Sequence, residues 1–375
     1  MHEAGRAAAH RSWIIRASLI IAAVLGFLLV VYLIIASGAA QVAHAMLVVG
    51  WGLIPITLFH LIPLLFSGLS WRELLPTASR PDTVTVIGIR WIRDSINSLL
   101  PVVIVGGDVA SIRLVHLRGV PGVQAAASVV VDTTIGVITQ LIFVLSGVGL
   151  LLMRSTDHNS LLVAGTVLIA MGILFVAITA FVFFQHRGLF SGFTKFARRL
   201  MPGKWLSALA ARASRIDDSV VAAYRSGPVM LRANLLRLVG WAAGAGEVWL
   251  VMQSLGQPIG VVDAYILESL GCGVRAATFM VPGALGALEA GYILFGALFG
   301  LPADTALVIS LSKRVREFAL GVPGLLLWQC IEGRYRLRRA EPDARGSRHA
   351  DVANCGQPAE PASGYLTRSS CSPTR

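Results

Sequence analysis

The sequence predicts an all-α fold, a polytopic integral membrane bundle of about eight transmembrane helices with a re-entrant or broken half-helix in each half. The 375 residues are 55% hydrophobic and only 14% charged, with a mean hydropathy of +0.72. A soluble domain carries about 25% charged residues. Several nearly uncharged stretches of about 18 to 25 residues are long enough to cross a hydrocarbon core of about 30 Å. Two apolar stretches are also interrupted by proline and glycine in the same way.

The first half begins with an apolar run at 14–36. At about 23 residues it is too long for a typical signal-peptide core, so we expect a membrane anchor, although residues 36–40 resemble a cleavage site. A second span is predicted at 45–66. The basic stretch 67–94 is predicted to connect on the cytoplasmic side. The apolar stretch 96–109 is too short to span and has basic residues on both sides, which favours a re-entrant segment.

The rest of the chain alternates apolar runs with basic or short polar connections. Whether 265–300 forms two full spans or a pair of half-helices stays open at this point. The predicted elements are spans at 120–153, 161–184 and 234–255, a basic cytoplasmic loop at 185–233, flanking segments at 265–281 and 285–300, and a last span at 305–331.

Lys and Arg concentrate in the N-terminal lead, in the large loop and in the C-terminal tail, and the net charge is +12. This is the distribution that the positive-inside bias produces, and it predicts that both termini are cytoplasmic. It favours contact with anionic lipid over binding to nucleic acid. Residues 1–335 are therefore predicted to form the transmembrane domain, and the polar stretch 336–375 a disordered basic tail.

Metal or disulfide chemistry finds no support in the pattern of cysteines and histidines. The four cysteines form no CxxC pair, and the eight histidines show no HxxH or HExxH spacing. We therefore expect no metal site, no cofactor and no catalytic residue of these classes. The chain also carries no nucleotide-binding loop, so active transport would need an ion gradient or a partner protein.

The two interrupted stretches lie about 180 residues apart, and each has an acid seven residues after its proline. The first runs from Pro101 through Gly106 and Gly107 to Asp108, shortly after Asn97. The second runs from Pro282 through Gly283 and Gly286 to Glu289. Broken backbone at membrane depth is tolerated where it lines a cavity. Matching interruptions in two halves indicate a transport site, although two unrelated kinks are the alternative.

Ionisable residues within apolar segments add candidates for this site, because each costs about 2.5–3.5 kcal/mol at a helix centre. Glu268 and Arg275 lie two turns apart, either as an ion pair or each with another partner, and Arg275 would suit an anionic head group. We expect Asp132 to pair with Arg113, Arg275 or Arg316. The charges at 313–317 either line a wet cavity or indicate that the last span begins later.

These motifs resemble the flippase-like membrane region of lysylphosphatidylglycerol synthases and related proteins. The resemblance covers roughly 14–335 and is greatest to the integral membrane proteins associated with bacterial hopanoid biosynthesis. It implies a bacterial inner-membrane protein that moves a lipid between leaflets or assists hopanoid handling. The chain departs from the synthases because only about 36 residues follow Arg339. The resemblance therefore does not carry over aminoacyl transfer, which needs a large soluble domain.

Three functions follow from these observations. The first is a lipid flippase for hopanoid or anionic lipids, and the second is a membrane-embedded lipid-modifying enzyme using Asp108, Asp132 or Glu289. The third is a scaffold for lipid-biosynthesis proteins. The predicted substrate-binding residues are Asn97, Pro101, Gly106, Gly107, Asp108, Arg113, Asp132, Glu268, Arg275, Pro282, Gly283, Gly286, Glu289 and Arg316.

Overall fold

The computed structural model describes residues 39–99, 106–154, 165, 172, 204–278 and 284–354. Within these ranges every regular element is helical, which confirms the predicted all-α class. The helices are α1 Ala39–Val49, α2 Leu53–Phe59, α3 Leu61–Glu73, α4 Thr83–Leu99, α5 Gly106–His116, α6 Gly122–Arg154, α7 Lys204–Arg225, α8 Gly227–Ser254, α9 Val261–Ala277, α10 Ala287–Ala297 and α11 Ala303–Asn354, with 3-10 turns at Gly50–Gly52 and Thr77–Ser79.

The chain divides into two compact units, residues 1–325 and residues 326–375. The first contains α1 to α10 and the beginning of α11, and it is the unit that carries the site. In the second, α11 is helical to Asn354, and residues 355–375 lie outside the described ranges. The disorder predicted for 336–375 stays a prediction.

Three helical stretches are long and apolar enough to cross a membrane, counted over the described residues alone: Met46–Glu73, Gly122–Arg154 and Gly227–Ser254. They agree with three of the predicted spans. The predicted spans at 14–36 and 161–184 fall outside the described residues, apart from positions 165 and 172. The prediction of about eight crossings is therefore not confirmed.

Helix α4 corrects the prediction that 67–94 is a basic connection. Only the short stretch between Glu73 and Thr83 separates α3 from α4. Along α4 the buried positions recur every three to four residues, including Ile89, Arg93 and Ile96, as on one face of an α-helix. Arg90 and Arg93 on α4 are buried in the protein, whereas the prediction treated them as markers of an aqueous loop.

Both interrupted stretches connect the two helices of a helical hairpin. In the first, the Gly107 N–H donates to Asn97 Oδ1 at 2.9 Å, so α5 packs back against the end of α4. In the second, Tyr292 Oη of α10 donates to Glu268 Oε2 of α9 at 3.0 Å. Residues ten positions apart, such as Asn97 and Gly107, cannot form a hydrogen bond along one continuous helix, and α9 ends at Ala277 with Thr278 as its C-cap.

The prolines themselves, together with Gly283, lie outside the described residues. Their predicted role in breaking the helices is therefore untested. The residues that follow show why glycine is needed at two positions. A Cβ on Gly107 would lie 2.4 Å from the Arg93 carbonyl oxygen, and Gly286 has a φ of 77°, in the left-handed region.

Small residues bring the long helices close together around this region. A Cβ on Gly246 of α8 would lie 2.4 Å from the Phe59 ring of α2, and one on Gly147 of α6 would lie 1.7 Å from Ser269 Oγ of α9. Close approach at small residues is the usual way in which membrane helices associate, because lipid provides little hydrophobic driving force between them. These contacts fix the helices whose polar faces form the site.

Candidate functional site

A cavity of about 370 Å³ lies among α3, α4, α8, α9, α10 and α11, within the first unit of the chain. Its wall is unusually rich in charge for the interior of an apolar helical protein. The charged lining residues and the histidine are His60, Arg90, Asp94, Arg237, Glu247, Glu268, Arg275, Lys313, Arg316 and Glu317.

One group of charges, here called the Asp132 cluster, consists of Asp132, Arg90, Arg93 and Arg237. The Asp132 side chain is fully buried on α6. Its Oδ2 accepts hydrogen bonds from Arg90 Nη1 at 2.7 Å and from Arg93 Nη1 at 2.6 Å. Arg237 Nη1 of α8 lies 3.7 Å from Asp132 Oδ1, within ion-pair distance but beyond a hydrogen bond. Three arginines from two helices therefore share one carboxylate.

Two further acids contact the Asp132 cluster from its edge. Arg93 Nε donates to Asp108 Oδ1 at 2.5 Å, and Arg90 Nε donates to Asp94 Oδ2 at 3.1 Å. Asp108 lies in the first turn of α5, where its negative charge also interacts favourably with the exposed N–H groups at the start of the helix. Arg93 thus joins the interrupted element of the first half to the buried Asp132.

A second group, here called the Glu247 cluster, consists of Glu247, Glu268, Lys313, Arg316 and His60. Arg316 Nη1 donates to Glu247 Oε2 at 2.5 Å. Lys313 Nζ donates to Glu268 Oε2 at 2.6 Å and lies 3.8 Å from Glu247 Oε2. All but His60 are buried. The cations from α11 therefore meet carboxylates from both α8 and α9.

His60 contributes one ring nitrogen to two contacts that compete with each other. Its Nδ1 lies 2.5 Å from Glu247 Oε1 and 2.6 Å from Arg316 Nη1. Nδ1 can donate to the carboxylate or accept from the guanidinium, but one nitrogen cannot do both. The preferred contact of His60 therefore depends on where its proton lies.

The interrupted element of the second half is tied to α11 as well. Glu289 is fully buried; its Oε2 accepts from the Gly286 N–H at 2.8 Å and its Oε1 from Arg314 Nε at 3.1 Å. Arg275 Nη2 donates to Glu317 Oε1 at 2.9 Å, and its side chain keeps 42% of its exposure. Glu289 thus holds the start of α10, whereas Arg275 remains accessible from the cavity.

The structure brings several of the predicted site residues together. Asn97, Glu268, Arg275 and Arg316 line the cavity. Behind the cavity lining, in α5 and α6, lie Gly106, Gly107, Asp108 and Asp132. At the start of α10, also behind the lining, lie Gly286 and Glu289. Arg113 lies exposed in the last turn of α5. Pro101, Pro282 and Gly283 lie outside the described residues.

Two sequence expectations about pairing are resolved. The expectation that Asp132 pairs with Arg113, Arg275 or Arg316 is wrong, because Arg90, Arg93 and Arg237 surround it. Glu268 and Arg275 do not form an ion pair with each other; each has a partner on α11. Lys313, Arg316 and Glu317 line the cavity. This agrees with the first alternative for 313–317, that its charges line a cavity.

Sequence reasoning missed five residues of the site: Arg90, Arg93, Asp94, Arg237 and His60. The first three fall within the connection predicted at 67–94, and Arg237 falls at the beginning of the span predicted at 234–255. A usable signal existed in the spacing of Arg90, Arg93 and Asn97, which places all three on one helical face. His60 had no such signal, since it lies alone in an apolar run.

The chemistry of the wall suits binding by charge and hydrogen bonding. Each carboxylate that lines the cavity has a cation within ion-pair distance: Asp94 has Arg90, and Glu247, Glu268 and Glu317 have partners on α9 or α11. A carboxylate held by a cation is a poor proton acceptor. Among the described residues no cluster of three or more His, Cys, Asp or Glu side chains has the arrangement of a metal site.

These features define a helical membrane protein with a charged cavity between two helical hairpins. The family described as "Lysylphosphatidylglycerol synthase TM region" matches residues 18–324, most of the chain. The chain belongs to this family. No curated protein and no solved structure matches it with significance.

Proposed function

We propose that the protein is a flippase-like lipid transporter that accommodates a lipid head group in the charged cavity. The observation that carries this proposal is the presence of both charged clusters at one cavity inside helices that are otherwise apolar. Buried charge is costly in a membrane, and where it occurs it marks substrate or ion pathways. Membership in a family named for a lipid-synthesising enzyme supports a lipid as the cargo.

The outer surface of the first unit of the chain fits a lipid environment. Large apolar side chains are strongly exposed there, among them Trp51, Leu58 and Phe318, which keep 86%, 57% and 61% of their accessible area. Acyl chains can contact such a surface while a polar head group enters the cavity. This division of an amphiphilic molecule between two environments is what lipid movement across a bilayer requires.

The identity of the lipid, the partners and the location of the protein are proposed from the resemblance and from the charge distribution. We propose a hopanoid or an anionic phospholipid as the lipid, and lipid-biosynthesis proteins as partners. The location proposed is a bacterial inner membrane with both termini in the cytoplasm, which agrees with the basic lead and tail.

A lipid-modifying enzyme is less well supported than a transporter. Asp108, Asp132 and Glu289 would have to act as acids or bases, yet each carboxylate is already bound to an arginine. A scaffold remains distinguishable by experiment, because a scaffold would tolerate substitutions that disturb the cavity while leaving the helices intact.

The test is transbilayer movement in vesicles containing the purified full-length protein. Vesicles of phosphatidylcholine with a trace of fluorescent phosphatidylglycerol are treated with a membrane-impermeant quencher, and the loss of protected fluorescence is followed. We expect faster loss than in empty vesicles, and slower movement for Lys313→Gln and Arg316→Gln. Arg232→Gln, on the exposed side of α8, is the matched control.

Equal rates with and without the protein, for phosphatidylglycerol and for a labelled hopanoid, would refute transport. Equal rates for wild type and both α11 variants would favour nonspecific scrambling. Product formation from a lipid in detergent micelles, where no second leaflet exists, would support the enzyme instead.

A further inference from the structure

We infer that Arg237 and Arg90 form a phosphate-binding site on the cavity wall between α8 and α4, and that the group bound there is the phosphate of a lipid head group. The inference rests on the proposed lipid-binding cavity and assigns its polar ligand a chemical class. It concerns residues that the sequence motifs did not identify.

Arg237 has the weakest pairing in the Asp132 cluster. The Oδ2 of Asp132 is already occupied by hydrogen bonds from Arg90 and Arg93. Arg237 Nη1 reaches only to 3.7 Å from Oδ1, and neither of these two buried atoms makes a hydrogen bond. With 7% of its area exposed, Arg237 is a buried guanidinium with an unused donor. Such a group is costly unless a ligand completes its hydrogen bonding.

The cations that line the cavity differ in how closely a carboxylate holds them. Five cations and four carboxylates line it, and Asp132, directly behind the wall, is the fifth carboxylate. Arg275, Lys313 and Arg316 have carboxylate partners at 2.9 Å or closer. Arg237 is the lining cation with the longest carboxylate contact, 3.7 Å, so its guanidinium has the donors that are most available to an anionic group entering the cavity.

The neighbouring helix leaves room for the Arg237 side chain to lie against it. A Cβ on Gly136 of α6 would come within 2.9 Å of Arg237 Nη2, so the bare glycine admits the guanidinium. A planar guanidinium can offer two parallel N–H donors, which match the oxygens of a phosphate. Arg90, which also lines the cavity, supplies a second guanidinium bound to the same Asp132.

The size of the cavity favours a head group over a free ion. A volume of about 370 Å³ falls in the range of pockets that enclose small organic molecules, about 300–1,000 Å³, and is far larger than a single phosphate needs. Trp241 and Tyr292 also line it and offer aromatic surface to the carbon atoms of a head group. The shared chemistry is a phosphate group, and the experiment below separates its two sources.

The experiment measures binding to the full-length protein in uncharged detergent by native mass spectrometry. The probes are phosphatidylglycerol, phosphatidic acid, diacylglycerol with the same acyl chains, and inorganic phosphate. We expect both phospholipids to bind about tenfold or more tightly than diacylglycerol, as charge-assisted hydrogen bonds predict. Arg237→Gln should remove most of this preference, and Arg237→Lys should restore part of it. Arg232→Gln on the same helix should retain it.

Equal binding of phospholipid and diacylglycerol, or an unchanged preference in Arg237→Gln, would overturn the inference. Binding of inorganic phosphate alone that is lost in Arg237→Gln would support the phosphate site and assign a free anion as its ligand. Circular dichroism verifies that each variant keeps its helices. If wild type binds phosphatidylglycerol through Arg237 yet moves no lipid in vesicles, the site stands and the transport proposal fails.

Discussion

The two charged clusters meet at one cavity but balance their charges differently. In the Asp132 cluster a single buried carboxylate contacts Arg90, Arg93 and Arg237. In the Glu247 cluster two carboxylates serve Lys313 and Arg316, with Tyr292 and His60 adding hydrogen-bonding groups. The second cluster is nearly complete in itself and ties α11 to α8 and α9. The first leaves a guanidinium donor without a hydrogen bond, so it is the side of the cavity where a ligand can supply the missing acceptor.

Asp132→Asn should give the largest effect on stability. It removes the charge that three buried arginines share, and an uncompensated buried charge costs about 3–5 kcal/mol. Equilibrium unfolding in mixed detergent micelles measures the change in the free energy of unfolding. The control is Asp94→Asn, whose side chain keeps 45% of its exposure and should cost much less. Equal losses for the two variants would show that Asp132 is not the centre of its cluster.

Glu247→Gln should cost less, about 1–3 kcal/mol, by the same measurement. Lys313 keeps its 2.6 Å contact with Glu268, and Arg316 keeps Glu317 at 3.7 Å. The remaining carboxylates therefore compensate the cations in part. A loss greater than that of Asp132→Asn would mean that the Glu247 cluster is the less compensated of the two. A smaller loss would support the conclusion that its remaining carboxylates compensate its cations.

Arg237→Gln should change the free energy of unfolding by less than about 1 kcal/mol, because the relief of burying a charge offsets the loss of one loose ion-pair contact. Asp132 keeps both of its hydrogen-bonded arginines. Arg90→Gln, which removes a 2.7 Å hydrogen bond to Asp132, is the comparison and should cost more. A large loss for Arg237→Gln would mean that its role is structural, as in the Glu247 cluster.

Asp263→Asn should have the smallest effect, about 0–1 kcal/mol, because its partner Arg154 is half exposed and water screens the pair. It provides the baseline for a charge removed outside both clusters. Raising the salt concentration should leave the Asp132→Asn loss unchanged while abolishing any loss for Asp263→Asn. A salt-sensitive Asp132→Asn effect would place the first cluster in contact with bulk water.

The sequence allowed part of this arrangement to be predicted. Proline and paired glycine mark where chains turn back, so both hairpins could be located from 101–108 and 282–289. The charges at 313–317 were recognisable because they interrupt an apolar run. These signals are local, and the end of α9 at Ala277 and the contact between Asn97 and Gly107 agree with them.

Pairing between distant segments could not be predicted in this way. Asp132 and Arg237 are 105 positions apart, and nothing in either segment indicates the other. Arg90 and Arg93 were misassigned because a basic cluster next to a membrane span usually marks a cytoplasmic loop. Their spacing on one face of α4 competes with that rule, and burial against Asp132 decided the outcome.

One cavity, bordered by both clusters, is proposed to receive a lipid head group. The most direct test uses phosphatidylglycerol with a photoactivatable group on its glycerol head, cross-linked to the reconstituted protein and mapped by peptide mass spectrometry. We predict labelled peptides from α4 or α8 and also from α9 or α11, all suppressed by excess unlabelled phosphatidylglycerol. Labelling confined to the outward-facing positions around Trp51, Leu58 and Phe318, with no competition, would contradict the account.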